Sequence, residues 1–371
     1  MKIGIDARLI EETGVGRYIR NLISELGMID KNNDYVVFLK KNAYDTFKLP
    51  NARWQKRLAD ISWHSFTEQI LMPVILAAEK LDLLHVPYFN VPIFYPRKFI
   101  VTIHDLTILH FDTGKATTLP WFLYKIRRAG YHLALFFGLF RAQKILAVSE
   151  ATKKEIVDHF HIAADKIVVT YEGVDNAVIN DERKMTGRLI KDPYFLYVGN
   201  AYPHKNLEIL LKAFQLFMAK NSRSQFKLVL VGPDDYFYRR LSEAINATKL
   251  SYSIKMLRSV KEEELRALYK NSEALVFPSL MEGFGLPGLE AMAAGIPVVC
   301  SEIPVFREIY GDAAVYFNPK DSDNLAQKLE LIIKDQKLRQ KLIEKGEHRL
   351  LNYNWQRLAR ETLTVYKEAG I

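Results

Sequence analysis

The chain of 371 residues contains a single cysteine, Cys300. One thiol cannot close an internal disulfide or build a thiolate metal cluster, which removes the disulfide-stapled and zinc-ribbon classes and fits a reducing compartment. It stands in the apolar run Ile296-Pro-Val-Val-Cys300, where a thiol serves as a small buried hydrophobe. Long uncharged apolar runs are also missing. The longest in a helical stretch, Ala129 to Phe140, is well short of the about 20 residues that span a bilayer. Charge interrupts Met1-Lys-Ile-Gly-Ile-Asp6 where an export signal needs its apolar segment, so the expected location is cytoplasmic. Zinc-ligand spacings, a helix-turn-helix signature and basic clusters interleaved with exposed aromatics are absent, so nucleic acid is not an expected partner. With 49% hydrophobic and 26% charged residues, the composition excludes disordered and fibrous classes and leaves a packed, enzyme-sized body.

That body is too long for one core, because single cores stop growing near about 250–300 residues. Short β-branched runs alternate with helical patterns throughout: Lys2–Ile5, Tyr35–Leu39, Leu83–His85, Phe99–Ile103, Lys144–Val148 and Lys166–Val169, then Tyr194–Val198, Lys227–Val231, Ile254–Leu257, Ala274–Phe277, Pro297–Ser301 and Ala314–Phe317. Such alternation specifies parallel sheets covered by helices on both faces. The segment Asn180 to Pro193 is charged and lacks apolar periodicity, which reads as a linker. The expected organisation is therefore α/β, with doubly wound domains at 1–183 and 191–352. A last helix at 353–371 has an apolar face of Trp355, Leu358, Leu363 and Tyr366, and spacing alone does not say which domain it covers. Ligands of open α/β sheets bind beyond the carboxyl ends of strands, so residues just after the strand runs are the ones to examine.

The sharpest signal follows Ala274–Phe277: Glu282-Gly-Phe-Gly-Leu-Pro-Gly-Leu-Glu290. Eight positions on one helix would set the two acids about 80° apart. The glycines and Pro287 place Glu282 on a loop and Glu290 inside the helix that follows. A helix start offers unpaired N–H groups and positive dipole to phosphate, and carboxylates accept hydrogen bonds from hydroxyl pairs of a sugar or ribose. After Tyr194–Val198 comes Gly199-Asn-Ala-Tyr-Pro-His-Lys205, after Phe99–Ile103 comes His104-Asp105, and after the first strand comes Thr13-Gly14-Val-Gly16-Arg17. The last is not a dinucleotide fingerprint, since Ile19 replaces its third glycine.

The Glu282-x7-Glu290 element, with Phe277-Pro-Ser279 before it and Ala291-Met-Ala-Ala-Gly-Ile-Pro-Val-Val299 after it, resembles the motif of retaining glycosyltransferase family 4. The resemblance extends over nearly the whole chain and, through Trp63, Glu68, Gln69 and Pro73, is closest to the mannosyltransferase-like members. It implies the GT-B fold, two facing Rossmann-like domains with the site in the cleft between them. It assigns Glu282 to donor-sugar hydroxyls and Glu290 to the nucleotide ribose. Gly283 and the backbone of Phe284, Gly285 and Leu286 go to the sugar and phosphates, and Lys205 to the departing diphosphate. His104 and Asp105 go beside the donor sugar and acceptor, and Gly14 and Gly16 to a turn where backbone approaches phosphate. Relatives often have Arg where Asn200 stands and Gly where Arg258 stands; Asn200 then bonds neutrally, or Arg258 or His204 compensates. Asp234-Asp235 has neither Asp-x-Asp spacing nor a His/Cys partner set, and the GT-B group needs no metal, so no metal or other cofactor is expected.

The surplus of charge, +9 overall, is concentrated in residues 51–150, which have 12 basic against 7 acidic side chains. Residues 119–144 contain Lys125, Arg127, Arg128, Arg141 and Lys144 with no acidic residue, among Trp121, Phe122, Tyr124, Tyr131, Phe136, Phe137 and Phe140. Such a helix either packs its apolar face on the sheet or rests peripherally on an anionic membrane, at its inner face, beside a lipid-linked acceptor. The function expected is hexosyl transfer, mannose from GDP-mannose, to a saccharide or lipid-linked saccharide. A nucleotide-sugar epimerase or glycosyl phosphorylase of the same fold, and a non-catalytic sugar-nucleotide-binding protein, are the alternatives.

Overall fold

The β-branched runs form strands and the amphipathic stretches between them form helices, in a computed structural model that describes residues 1–63, 65–111, 121–174, 189–221, 225–248 and 250–370. In order these are β1 (Lys2–Asp6), α1 (Gly14–Ile29), β2 (Asp34–Leu39), α2 (Lys41–Thr46), β3 (Trp54–Leu58), α3 (Phe66–Ala78), β4 (Leu83–Val86), β5 (Phe99–Ile103), α4 (Thr107–His110), α5 (Trp121–Arg141), β6 (Ile145–Ala147), α6 (Glu150–Phe160) and β7 (Ile167–Val169). There follow β8 (Tyr194–Val198), α7 (Leu207–Lys220), β9 (Lys227–Gly232), α8 (Tyr236–Asn246), β10 (Ile254–Arg258), α9 (Glu262–Lys270), β11 (Ala274–Phe277), α10 (Leu286–Ala293), β12 (Val298–Ser301), α11 (Pro304–Tyr310), β13 (Ala314–Phe317), α12 (Ser322–Lys334), α13 (Gln336–Leu350) and α14 (Trp355–Gly370).

The first compact unit runs to Gly173, apart from a short stretch beginning at His110 that groups with the second unit, and takes in Asn354 onward, so it also contains α14; the second holds that stretch and Val174–Tyr353. Gly173 is needed for close approach rather than for a turn, because a side chain there would run into the backbone at Asn354 and Trp355. Residues 180–188 of the expected linker lie outside the described residues, as does Asp175.

The first unit is built on a parallel sheet of order β3-β2-β1-β4-β5-β6-β7, the second on a parallel sheet of order β10-β9-β8-β11-β12-β13. Strand β3 is absent from the strands read in the sequence. It is an edge strand whose Gln55, Lys56, Arg57 and Leu58 keep solvent contact, so it shows no apolar run. Both orders reverse direction once, between β1 and β4 and between β8 and β11, which defines a crevice at the carboxyl edge of each sheet.

Helix α14 lies against α1, and Leu358, Val365 and Tyr366 join Tyr18, Leu22, Leu26, Ile3 and Ile5 in one buried cluster. A line of four buried polar side chains crosses that core. Tyr366 Oη is 2.7 Å from His85 Nδ1, whose Nε2 is 2.7 Å from Thr102 Oγ1, itself 3.2 Å from Tyr18 Oη. Cys300 is also buried, and burial pushes its thiol well above the ordinary range.

Burial, with a smaller contribution from His104, pushes the His85 imidazole down from 6.5 to about 3. Between those two pH values the unfolded ring binds a proton that the folded ring refuses, so stability falls as pH drops from 6.5 towards 3. The expected contribution to the slope is up to about 1.4 kcal/mol per pH unit. Urea titrations from neutral pH down to about pH 4 should show this slope, and His85→Gln should flatten it relative to the parent.

Candidate functional site

In the second unit the crevice lies where β8 and β11 are neighbours, and the loops that leave those two strands hold the residues of interest. After β8 the chain makes one turn of 3-10 helix, Pro203–Lys205, and Asn206 ends it in the left-handed region at φ 58°. Asn206 Nδ2 donates to Pro278 O at 3.1 Å and to Pro319 O at 2.9 Å, and Leu280 N donates to His204 O at 2.7 Å. The two loops are thereby bonded into one frame. On it, Lys205 Nζ donates to Glu282 Oε1 at 2.5 Å, and Ser279 Oγ donates to the same oxygen at 2.7 Å. Their side chains keep only 13% and 12% exposure, so the pair is short, largely desolvated and still reachable.

Glu282 is on the loop and Glu290 is inside α10, which begins at Leu286 with Pro287 in its first turn and Gly285 before it at φ 100°. That φ and the neighbouring Tyr310 both require glycine, since a Cβ at Gly285 would overlap the tyrosine hydroxyl. Tyr310 Oη donates to Gly285 O at 2.5 Å and so fixes the loop at the point where the helix begins. The Phe284 ring is turned inward, edge-on to Tyr353 at 5.5 Å, so its backbone rather than its side chain meets the crevice edge. Glu290 is buried to 8% exposure and accepts from Tyr269 Oη at 2.7 Å. A helix start leaves its first N–H groups without intrahelical partners, which favours a negatively charged ligand beside this loop.

Other candidate residues of this unit are occupied differently. Asn200 bonds neutrally, its Oδ1 accepting from Tyr202 N at 3.3 Å. Arg258 ends β10 with its guanidinium on Asp234, at 3.1 Å, and Arg239 shares that carboxylate, so much of the Arg258 charge is matched within the unit. Asp235 caps α8 through Tyr238 N at 2.8 Å. His204 is buried, and its ring faces Phe111 at 5.6 Å.

In the first unit the crevice between β1 and β4 is filled by the protein's own charges. Arg8 donates to both carboxylate oxygens of Asp6, at 2.8 and 2.6 Å, and to Glu68 Oε1 at 2.6 Å, while Asn90 Nδ2 donates to Glu68 Oε2 at 2.5 Å. Burial opposes the Arg8 charge, and Asp6 and then Glu68 outweigh it; burial also pushes the Glu68 carboxyl up, against the pull of Arg8. Gly14 and Gly16 lie in the first turn of α1. Gly16 packs so closely on the carbonyls of Leu9 and Ile10 that a Cβ would overlap them, while Gly14 has open space around it. His104 follows β5, with Nδ1 3.0 Å from Glu172 Oε1 and Nε2 3.1 Å from Pro87 O. Asp105 caps the short α4 through Thr107 N at 2.8 Å.

Among these, Lys205, Glu282 and the start of α10 come together in one unit, and His104 and Asp105 stand side by side in the other. The sequence reading missed the supports: Tyr269 under Glu290, Tyr310 under Gly285, and the pairing of Glu172 with His104. The Glu172-Gly173 dipeptide after β7 is a strand-end signal that marks the last of these.

Residues 13–178 match the family model described as Glycosyltransferase Family 4, and residues 178–349 match Glycosyl transferases group 1. The chain is similar to O-antigen chain mannosyltransferase B of Escherichia coli, 28% identical over 382 residues that cover 96% of each protein. It is also similar to O-antigen chain mannosyltransferase RfbU of Salmonella typhimurium, 27% identical over 81% of this chain and 79% of that one. Among solved structures, sucrose-phosphate synthase from Thermosynechococcus elongatus superposes with TM-score 0.78 at 18% identity, covering 99% of this chain and 98% of that one. Anabaena HepE in complex with UDP and glucose does so with TM-score 0.74 at 16% identity and 99% coverage of both. At these identities the structures speak for the fold alone.

Gly288 of α10 sits against the Tyr310 ring so closely that a Cβ would overlap it. Gly288→Ala is expected to cost about 1–3 kcal/mol through overpacking. Urea denaturation would show it as an earlier midpoint, and adding Tyr310→Leu should recover part of the loss.

Proposed function

Because the chain belongs to glycosyltransferase family 4 and has the GT-B fold, we propose that this glycosyltransferase is a retaining enzyme that transfers mannose from GDP-mannose to a saccharide or lipid-linked saccharide. The observation that carries the reading is the 2.5 Å contact between Lys205 and Glu282 at the crevice of the second unit. As the bond from the sugar C1 to the diphosphate breaks, negative charge grows on the departing oxygen. An ammonium fixed by Glu282 and the bonded loops is there before the charge develops, so it stabilises the transition state more than the ground state. The acceptor oxygen bonds to C1 as the diphosphate leaves, and the acceptor proton passes to the departing phosphate.

Glu282, with a second carboxylate oxygen besides the one bonded by Lys205 and Ser279, takes donor-sugar hydroxyls. Glu290, steadied by Tyr269, takes the ribose pair, and the start of α10 takes phosphate. With a cation in that role the reaction is proposed to need no metal. Mannose is favoured over other hexoses by the two O-antigen mannosyltransferases, which share 27% and 28% of their aligned residues with the chain.

The acceptor reading rests on the outer face of the first unit. Helix α5 buries Ala134, Leu135 and Leu139, yet on its opposite side Phe122, Ile126, Leu133, Phe136 and Phe140 are exposed, Ile126 by 66%. The side chains of Trp121, Tyr124 and Arg127 lie outside the described residues. Phe94, 70% exposed, continues the surface. The neighbouring Ile93 donates its N–H to Gln69 of α3 and accepts Arg141 of α5 on its carbonyl, at 2.8 and 2.6 Å. On α3 itself, Phe66, Ile70 and Val74 point outward with one-turn spacing. Among the described residues no helix is long and apolar enough to cross a membrane. An exposed apolar surface set among Lys125, Arg128 and Arg141 suits peripheral contact with anionic lipid on the inner face, where a lipid-linked acceptor is collected.

Calorimetry with GDP-mannose and the corresponding UDP and ADP sugars should show binding to the GDP sugar, and product analysis should show transfer with the anomeric configuration kept. Lys205→Ala and Glu282→Gln are each expected to lower turnover by about 10²–10³-fold with circular dichroism unchanged. Absence of binding and turnover across the donors would overturn the reading.

Anionic liposomes should pellet the protein at low salt and neutral ones should not. Ile126→Ser combined with Phe136→Ser should abolish pelleting and leave transfer to a water-soluble acceptor in place.

A further inference from the structure

The carboxyl edge of the first unit's sheet presents aromatic rings as well as charges. Trp63, on the loop after β3, and Tyr88, which follows β4, are both half-buried, with ring centroids 4.9 Å apart. His104, after β5, continues the line at 6.4 Å from Tyr88. Rings from the ends of β3, β4 and β5 thus stand in one row along the edge where open α/β sheets take their ligands. The row is held from behind. The Arg8 guanidinium lies 5.8 Å from the Trp63 ring centroid and is itself fixed by Asp6 and Glu68, each at 2.6 Å, so the cation that meets the indole is immobile. The buried Phe89 ring stands 4.4 Å from Tyr88. His104 Nε2, 3.1 Å from Pro87 O, ties the residue before Tyr88 to the end of β5. Both nitrogens of His104 are taken, by Glu172 and Pro87, so His104 braces the row and brings only its ring.

Indole and phenol each have an apolar face and one polar atom at the rim. A pyranose is built the same way, with C–H bonds on its face and hydroxyls around its rim. Its C–H hydrogens carry partial positive charge and sit favourably on the negative face of an aromatic ring. A hydrocarbon has nothing to offer the rim, which separates this row from the outer surface of Phe, Ile and Val side chains on α3 and α5. One stretch of chain nevertheless joins the two. The loop after β4 begins with Tyr88 in the row and reaches Phe94, 70% exposed, in the apolar surface, and it is pinned on the way by Asn90 to Glu68 and by Ile93 to Gln69.

We propose that Trp63 and Tyr88 form a saccharide-binding site of the first unit, which takes sugar rings of the acceptor by stacking them on the indole and the phenol. The site rests on the proposed function for its role in transfer, while the binding itself belongs to the first unit and needs no donor. A lipid-linked acceptor then has its sugars on the row and its hydrocarbon on the surface beyond Phe94.

The test uses the full chain and its tryptophan emission. Titration with mannotriose, cellotriose or N-acetylchitotriose, without donor, should change the emission for at least one of them. Trp63→Phe should lose that optical change while calorimetry still detects the saccharide. Trp63→Leu and Tyr88→Leu keep apolar bulk and remove a ring face, so each should weaken saccharide binding by about 3- to 10-fold. The acceptor KM should rise by a like factor with the donor KM unmoved. A ring that serves only packing tolerates leucine. Saccharide affinity and acceptor KM unmoved by both leucine variants would therefore overturn the site, as would a fall in Tm that moves both KM values together. An emission change with sodium octanoate and with no saccharide would also overturn it and assign the row to the lipid surface. A parent protein that binds saccharide and transfers to none would remove the transferase reading and leave the site standing.

Discussion

Everything chemical in this protein depends on strand direction. All the strands within each sheet run the same way, so each sheet has one edge where every chain emerges into a loop, and the polar residues that a parallel core cannot bury collect there. Each sheet also changes winding direction once, and at that point two neighbouring loops diverge and leave a gap. Lys205 leaves β8 and Glu282 leaves β11, so residues 77 apart in sequence meet at 2.5 Å. No local turn could have produced that contact.

The two units use the same opening in opposite ways. In the second, two loops are bonded together through Asn206 and the pair they carry remains partly exposed. In the first, Asp6, Arg8, Glu68 and Asn90 fill the opening, with the Arg8 side chain fully buried. A buried ion network is a poor source of stability, because desolvation opposes the Coulomb attraction, but removing one member leaves an uncompensated charge. The arrangement therefore ties the loops that leave β1 and β4 to α3. The same opening holds a partly exposed Lys205–Glu282 pair in one unit and a buried brace in the other.

The sequence revealed what is written locally. The alternation of strand and helix, the loop position of Glu282 with Glu290 in the helix, and the strand-end placement of Lys205 and His104 all follow from short-range patterns. Strand β3 was hidden because an edge strand with solvated Gln55, Lys56 and Arg57 has no apolar run to show. The glycines at 14 and 16 read as a turn, yet the spacing cannot distinguish a turn from a helix start pressed against the carbonyls of Leu9 and Ile10. Supports for the site escaped altogether, since Tyr269 reaches Glu290 across 21 residues, Tyr310 reaches Gly285 across 25 and Glu172 reaches His104 across 68. Nothing in a tyrosine's immediate neighbours announces such a partner.

The chain returns to its beginning at the end. Helix α14 completes the core around α1 and β1, and its Tyr366 hydroxyl meets His85 across 281 residues. During synthesis the first unit's strands are long out of the ribosome before the residues that seal them exist. Until then the faces of Tyr18, Leu22 and Leu26 that α14 covers stay open, and closing so long a loop is entropically slow. The second unit, a short stretch from His110 together with Val174–Tyr353, needs nothing from α14 and has no such wait. The second unit's residues are therefore all made before the first unit's core has its last helix, and that core stays incomplete until α14 arrives.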